Sequence, residues 1–147
     1  YTIIDSIIVC KFSRGTYFEG FKDLAALYSA VTSVEMGSED LRKAGERINN
    51  LGRLINIREG LTRKDDSLPW KVMNVPIPDE GPSKGSFVSQ EDLDLLLDDY
   101  YEVRGWTKDG IPTLEKLNEL GMEDLAYIVK DKLETPEKPK RKTKPEE

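Results

Sequence analysis

The chain has 147 residues and a net charge of −6, with 37% hydrophobic and 34% charged residues. This composition is polar for a globular domain, but it contains enough apolar residues that disorder is not predicted. This length fits one domain, the acidic balance argues against non-specific binding to nucleic acid, and no apolar stretch reaches the roughly 18 residues of a membrane span. One cysteine and no histidine exclude an internal disulfide and any Ser-His-Asp or Cys-His site built by this chain alone, and they fit a reducing, cytoplasmic compartment.

The first twelve residues, "YTIIDSIIVCKF", are apolar and rich in β-branched side chains. The run is too short for its periodicity to separate a strand from a buried helix. Because position 1 is Tyr and apolar residues follow at once, we expect a piece of a longer polypeptide with an exposed apolar patch around residues 3–12. Read from the residues alone, Cys10 is either an inert buried hydrophobe or a ligand, and Asp5 is an N-cap or turn residue.

A helix is predicted from Tyr17 to about Ser33, with Thr16 and Glu19 as its capping box. Its apolar stripe repeats every three or four residues: Phe18, Phe21, Leu24, Ala25, Tyr28 and Val31.

A longer helix is predicted from the N-cap Ser38 to a stop at Gly60. Two glycines inside it indicate either close helix packing or room for a ligand or a neighbouring domain. Its predicted buried face consists of Leu41, Ala44, Gly45, Ile48, Leu51, Gly52 and Ile55.

Residues 61–88 contain four prolines and no sustained period. A loop of this length inside a domain is uncommon. Its apolar residues should pack against something, so we expect an ordered, Pro-containing strap; they are Trp70, Val72, Met73, Val75 and Ile77.

The second half of the chain carries clearer helix boundaries. Ser89 with Asp92 predicts a helix that runs to Arg104 and stops at Gly105. Its predicted apolar face is Leu93, Leu96, Leu97, Tyr100 and Val103. A turn follows over 106–113, then a helix over 114–120 capped by Thr113 and a last helix over 123–133.

Residues 134–147 have three prolines, five basic and four acidic residues, which predicts a disordered tail. A basic patch for nucleic acid is the alternative, and the acidic residues nearly cancel it. The sequence therefore predicts an all-α fold of four or five helices in one domain, residues 1–133, followed by this tail.

Three strings go beyond this composition: "GERINNLGRLINIREG" (45–60), "RKDDSLPWKV" (63–72) and "LDLLLDDYYEVRGWTKDGIPTLEKLNELGM" (93–122). In this order and spacing they resemble the C-terminal domain of the aldehyde ferredoxin oxidoreductase family, which are tungstopterin enzymes. The family motif Asp-x-x-Gly-Leu-Cys stands here as Asp5-Ser6-Ile7-Ile8-Val9-Cys10, with Ile and Val in place of Gly and Leu.

The resemblance implies a cofactor site shared with domains outside these residues. Cys10 would be the fourth thiolate ligand of a [4Fe–4S] cluster, Asp5 would bind one pterin of a tungsten (or molybdenum) bis-pyranopterin, and Val9 would contact the cofactor through its main chain. A cluster requires about four thiolates, and a carboxylate accepts two N–H bonds in one plane. Because five extended residues span roughly 17 Å, Asp5 and Cys10 can face one cofactor pair only if the segment between them turns.

The implied parent enzyme oxidises small aldehydes to carboxylic acids and passes electrons through the cluster to ferredoxin. Its partners would be the remaining domains of the same polypeptide, and a homo-oligomeric parent is compatible with the resemblance; neither nucleic acid nor a membrane is expected. The family's substrate-contacting residues lie outside this chain, so we expect no catalytic residue here and an inactive fragment. Two alternatives stay open: a non-catalytic helical scaffold that binds a partner, and a sister chemistry such as ring reduction in benzoyl-CoA reductase subunits. Structural roles alone are expected for Arg53, Arg58, Asp65, Asp66, Tyr100, Tyr101 and Trp106.

Overall fold

The computed structural model describes residues 1–13, 15 and 18–134, and the described part of the chain is all-α, as predicted. It contains seven α-helices and no strand, and Trp106 and Pro112 form an isolated β-bridge. The helices are α1 (Thr2–Ser6), α2 (Phe21–Thr32), α3 (Ser38–Arg58), α4 (Trp70–Asn74), α5 (Gln90–Arg104), α6 (Leu114–Glu119) and α7 (Tyr127–Glu134). The structure has more helices than the four or five predicted, because α1 and α4 have five residues each and are too short for a periodic signal.

Two separate apolar clusters organise these helices around α3. The first joins α1 and α2 to the start of α3 and consists of Ile3, Ile4, Phe18, Leu24, Ala25 and Leu41. The second joins the end of α3 to α6 and α7 and consists of Leu54, Ile57, Leu117, Leu120, Met122 and Val129. The helix α3 is therefore the element that connects both halves of the described chain.

The predicted buried face of α3 is right in its first half and wrong in its second. Leu41 and Gly45 are buried, but Ile48, Leu51 and Ile55 are exposed. Asn50, Arg53, Leu54 and Ile57 are buried in their place. A helix that serves two clusters presents a different face to each, which a single stripe cannot describe.

The first long helix begins later than predicted. Gly20 is the N-cap of α2, and the Asp23 carboxylate accepts a hydrogen bond from the Glu19 backbone N–H at 3.0 Å. The predicted cap Thr16 and Tyr17 lie outside the described residues. Leu24 and Ala25 of the predicted stripe are the buried residues of α2, whereas Phe21 and Val31 are exposed.

The strap over 61–88 contains a 3₁₀ turn (Arg63–Asp65), α4, and a loop in which the Ile77 N–H donates to the Ser86 carbonyl at 3.0 Å. Its apolar side chains join neither cluster. Trp70 is 71% exposed. The strap therefore adds to neither cluster, and Val72, Val75 and Ile77 instead line a cavity of about 400 Å³ together with Phe87 and Val88.

The caps of the second half are confirmed. The Asp92 N–H donates to the Ser89 hydroxyl at 3.0 Å, and the Lys116 N–H donates to the Thr113 hydroxyl at 3.1 Å. The predicted face of α5 is wrong for Leu96, Tyr100 and Val103, which are exposed. The buried residues of α5 are Leu93 and Tyr101.

The predicted last helix over 123–133 is a 3₁₀ turn (Glu123–Leu125) followed by α7. Apart from Glu134, which ends α7, the predicted tail lies outside the described residues. No helix in the described ranges combines the length and the apolar character needed to cross a membrane.

Candidate functional site

The segment that carries Asp5 and Cys10 is a short helix ended by a tight turn. The Val9 N–H donates to the Ile4 carbonyl at 3.1 Å, and the Ile8 N–H donates to the Asp5 carbonyl at 3.3 Å. This pair of bonds defines a Schellman motif, with Ile8 in the left-handed position. The turn that a shared cofactor site requires between Asp5 and Cys10 is therefore present.

Ile8 has a φ of 59°, which is unusual for a β-branched residue. Three other helices of this chain end in the same pair of bonds, and each has glycine at that position: Gly60 after α3, Gly105 after α5 and Gly121 after α6, with φ between 64° and 96°. The family motif also has glycine where Ile8 stands. The glycine of the motif thus has a physical reason, and this chain departs from it at a conformational cost.

The side chains at this turn are directed outward. The carboxylate of Asp5 and the thiol of Cys10 are exposed, so Cys10 is not a buried hydrophobe. Ile8 is 92% and Phe12 83% exposed, whereas Ile3 and Ile4 are buried. The predicted apolar patch therefore exists at residues 8 and 12 and is wrong for residues 3 and 4, because the latter two fix α1 to the first cluster.

The main chain around Val9 is largely used by the fold. Its N–H is bonded to Ile4, and the Ser13 N–H donates to the Cys10 carbonyl at 3.0 Å. The Val9 side chain packs on the first cluster. A main-chain contact from Val9 to a cofactor would therefore use its carbonyl oxygen.

The Lys11 ammonium lies 5.4 Å from the centre of the Tyr1 ring and 5.6 Å from that of Phe12. These cation–π contacts keep a positive charge and two aromatic rings beside Cys10.

A second polar arrangement lies between α3 and α5. Arg53, which is 7% exposed, donates two hydrogen bonds to the Asp66 carboxylate, at 2.8 and 2.6 Å, and a third to the Gly110 carbonyl at 2.7 Å. The Tyr101 hydroxyl also donates to Asp66, and the Trp106 indole N–H donates to the Asn50 side-chain oxygen at 2.8 Å. No buried side-chain nitrogen or oxygen of the described residues is without a partner, so this network is complete in itself.

The network shifts two ionisation equilibria. Burial alone disfavours the Asp66 carboxylate, but the hydrogen bonds from Arg53 and Tyr101 outweigh it and hold the pKa of Asp66 below its usual value. Burial and the hydrogen bond to Asp66 raise the pKa of Tyr101 to about 12. We assign the network a structural role, as the sequence predicts for Arg53 and Asp66. The sequence does not predict the burial of Tyr101 and Asn50, because it depends on partners distant in sequence.

One cavity of about 390 Å³ lies beside this network, and Gly52 forms part of its wall. A Cβ at Gly52 would meet nothing within 4 Å, whereas one at Gly45 would collide with Ile3. The two glycines of α3 thus match the two interpretations that the sequence left open, close packing at Gly45 and open space at Gly52. Among the described residues, no group of three or more His, Cys, Asp or Glu side chains could hold a metal ion.

Comparisons with known proteins give a consistent family. The family described as aldehyde ferredoxin oxidoreductase, domains 2 & 3, matches residues 1–122. Tungsten-containing aldehyde ferredoxin oxidoreductases of Pyrococcus abyssi and Pyrococcus furiosus are 41% and 42% identical over 83% and 82% of this chain, and the match covers 19% of each relative. The aliphatic sulfonate oxidoreductase, WOR-like subunit, of Pyrococcus furiosus is 32% identical over 86% of this chain and 20% of its own length.

A solved structure, the active site complex BamBC of benzoyl coenzyme A reductase with 1,5 dienoyl-CoA, aligns with a TM-score of 0.59 and 31% identity, over 80% of this chain and 16% of that one. The chain spans about a fifth of the length of the curated relatives it matches.

Proposed function

Since this chain belongs to the aldehyde ferredoxin oxidoreductase family, we propose that it is the C-terminal part of a tungsten-pterin oxidoreductase and that its N-terminal turn contacts the cofactors. The observation that carries the proposal is the turn itself, which exposes Asp5 and Cys10 and leaves both side chains outside the packing of the fold. A site shared with the rest of a longer protein needs this exposure.

Cys10 is proposed as one of four thiolate ligands of a [4Fe–4S] cluster. It is the sole cysteine of the chain, so the other three thiolates must come from elsewhere in the protein.

Asp5 is proposed as a pterin ligand. Its backbone carbonyl closes the turn by accepting from Ile8, and this places its carboxylate one turn before Cys10. An ionised carboxylate accepts paired N–H donors in its own plane, as the edge of a pterin presents them. Val9 would add its carbonyl oxygen.

When bound, the tungsten centre would supply the oxidation of an aldehyde to a carboxylic acid, and the cluster would carry the electrons to ferredoxin. The residues of this chain would bind and orient those groups. The same portion of chain is shared with a sulfonate oxidoreductase subunit and a benzoyl-CoA reductase complex, which supports a role in holding cofactors and leaves the choice of substrate to other domains.

The test is iron and tungsten analysis with EPR of the full-length protein. Cys10→Ser should lose or alter the cluster signal while tungsten content is retained, and Asp5→Asn should lower pterin and tungsten content. Lys22→Ser, at an exposed residue of α2, is the control and should leave both unchanged. An unaltered cluster signal in Cys10→Ser would refute the ligand role and favour the non-catalytic scaffold.

A further inference from the structure

Gly45 brings α1 unusually close to α3. A Cβ built at Gly45 would lie 2.6 Å from Cγ1 and 2.9 Å from Cδ1 of Ile3. Both residues are buried. The side chain of Ile3 therefore occupies the space that any residue other than glycine would fill at position 45.

Ile3 has little freedom to avoid such a contact. A β-branched side chain in a helix has one strongly preferred rotamer, and Cγ1 is bonded directly to Cβ. Ile3 is also enclosed by the first cluster, with Ile4 and Leu41. A methyl group at position 45 therefore forces Ile3 out of its preferred rotamer or moves α1 away from α3.

The position of α1 depends on this contact. A helix of five residues has no stability of its own in water. The buried side chains of Ile3 and Ile4 attach it to the first cluster.

The positions of Asp5 and Cys10 depend on the position of α1. Asp5 is part of the helix, and the turn is closed by the bond from the Val9 N–H to the Ile4 carbonyl. Val9 packs on the same cluster and Cys10 comes next. A shift of α1 is thus transmitted to both Asp5 and Cys10.

We propose that Gly45 is a positioning residue: by admitting Ile3, it sets how deeply α1 sits on α3 and so where Asp5 and Cys10 meet the cofactors. This inference rests on the proposed function of those two residues. Gly45 is buried against Ile3 and would act on the cofactors only through α1.

The experiment compares Gly45→Ala with Gly52→Ala in the full-length protein. The control adds the same methyl group to the same helix about two turns on, where it meets nothing within 4 Å. Gly45→Ala should change the EPR signature of the cluster and weaken the retention of cluster iron against a chelator roughly 10-fold, which is the low end of the effect of outer-shell changes on metal affinity. It should also lower hydrogen-exchange protection of the Val9 N–H, and Gly52→Ala should match the wild type in all three.

Rescue separates positioning from general damage. Adding Ile3→Ala to Gly45→Ala removes both clashing atoms and lets the added methyl group fill part of the space that Ile3 leaves, so the double variant should be closer to the wild-type EPR signature than either single variant. Ile3→Ala alone covers the case in which Gly45→Ala does not fold: it loosens α1 without any clash and should also alter the signature.

The outcomes distinguish the two proposals. If Cys10→Ser changes the cluster signal but Gly45→Ala behaves as Gly52→Ala does, the positioning role is wrong and the ligand role stands. A wild-type signature in Ile3→Ala would overturn the positioning role as well. If Cys10→Ser leaves the signal unchanged, the ligand role fails first.

Discussion

Replacing Ile8 by glycine should stabilise the turn that carries Asp5 and Cys10. A left-handed conformation costs an L-residue roughly 1–2 kcal/mol, and glycine avoids this cost. Glycine loses more backbone entropy on folding, however, and this offsets about 0.5–1 kcal/mol of the gain. The Ile8 side chain is 92% exposed, so its removal forfeits almost no burial. The net gain is about 0.5–1 kcal/mol, which corresponds to roughly 2- to 5-fold more hydrogen-exchange protection if the turn opens locally.

The measurement is native-state hydrogen exchange at the Val9 N–H, whose bond to Ile4 closes the turn. The reciprocal control is Gly60→Ile at the equivalent position after α3, where a Cβ would meet nothing within 4 Å. That variant should lose protection at the Leu61 N–H for the same conformational reason. Unchanged or lower protection of Val9 in Ile8→Gly would refute the strain argument, because no packing term is available to offset it.

Two further predictions concern the network at Asp66. The pKa of Tyr101 is raised to about 12. The stability that its neutral phenol contributes is therefore complete below about pH 10 and is lost as the pH rises toward 12. A phenolate absorbance titration should show a late component that is absent in Tyr101→Phe. Because the pKa of Asp66 is lowered in the folded state, its contribution is present above about pH 3.9 and is lost as the pH falls through the folded value. In urea unfolding, Asp66→Asn should therefore be less stable than the wild type at pH 7, and the difference should shrink in acid; a constant difference would contradict the assignment.

Several helix ends were predictable from the sequence because they depend on local chemistry, although α2 begins four residues later than predicted and the N-cap of α3 is Gly37 in place of Ser38. Gly60 and Gly105 were each expected to close a helix, and each has positive φ at the end of one. Ser89 and Thr113 were expected as caps, and both accept the expected backbone hydrogen bond. A cap needs only its own neighbours in sequence, so the residue type is enough.

The buried faces were not predictable in the same way. Periodicity identifies apolar residues but not the element that covers them. Asn50 and Arg53 are polar and yet buried, because Trp106 and Asp66 satisfy them from other elements. Tyr100 is exposed while its neighbour Tyr101 is buried. The difference depends on Asp66, which accepts the hydrogen bond from Tyr101, and not on the spacing of apolar residues.

The candidate site depended on both sources of inference. Asp5 and Cys10 came from the family motif, since no spacing rule singles out one aspartate and one cysteine. The need for a turn between them came from chain geometry, and the structure has that turn. The conformation of Ile8 could not be anticipated: its residue type argues for extended backbone, and only the closed turn imposes a positive φ.

The unusual local features of this chain converge on the same segment. The described residues contain two non-glycine residues with positive φ, Ile8 and Ser33, and only Ile8 is β-branched. Gly45 leaves space for Ile3, which a side chain at position 45 would fill. The close contact between the two residues holds α1, the helix immediately before that turn. Strain of this kind persists only where surrounding packing overrides it, and it concentrates at functional sites. The first cluster supplies that packing through the buried Ile3 and Ile4, which explains how a five-residue helix can hold an unfavourable residue in place and still present Asp5 and Cys10 outward.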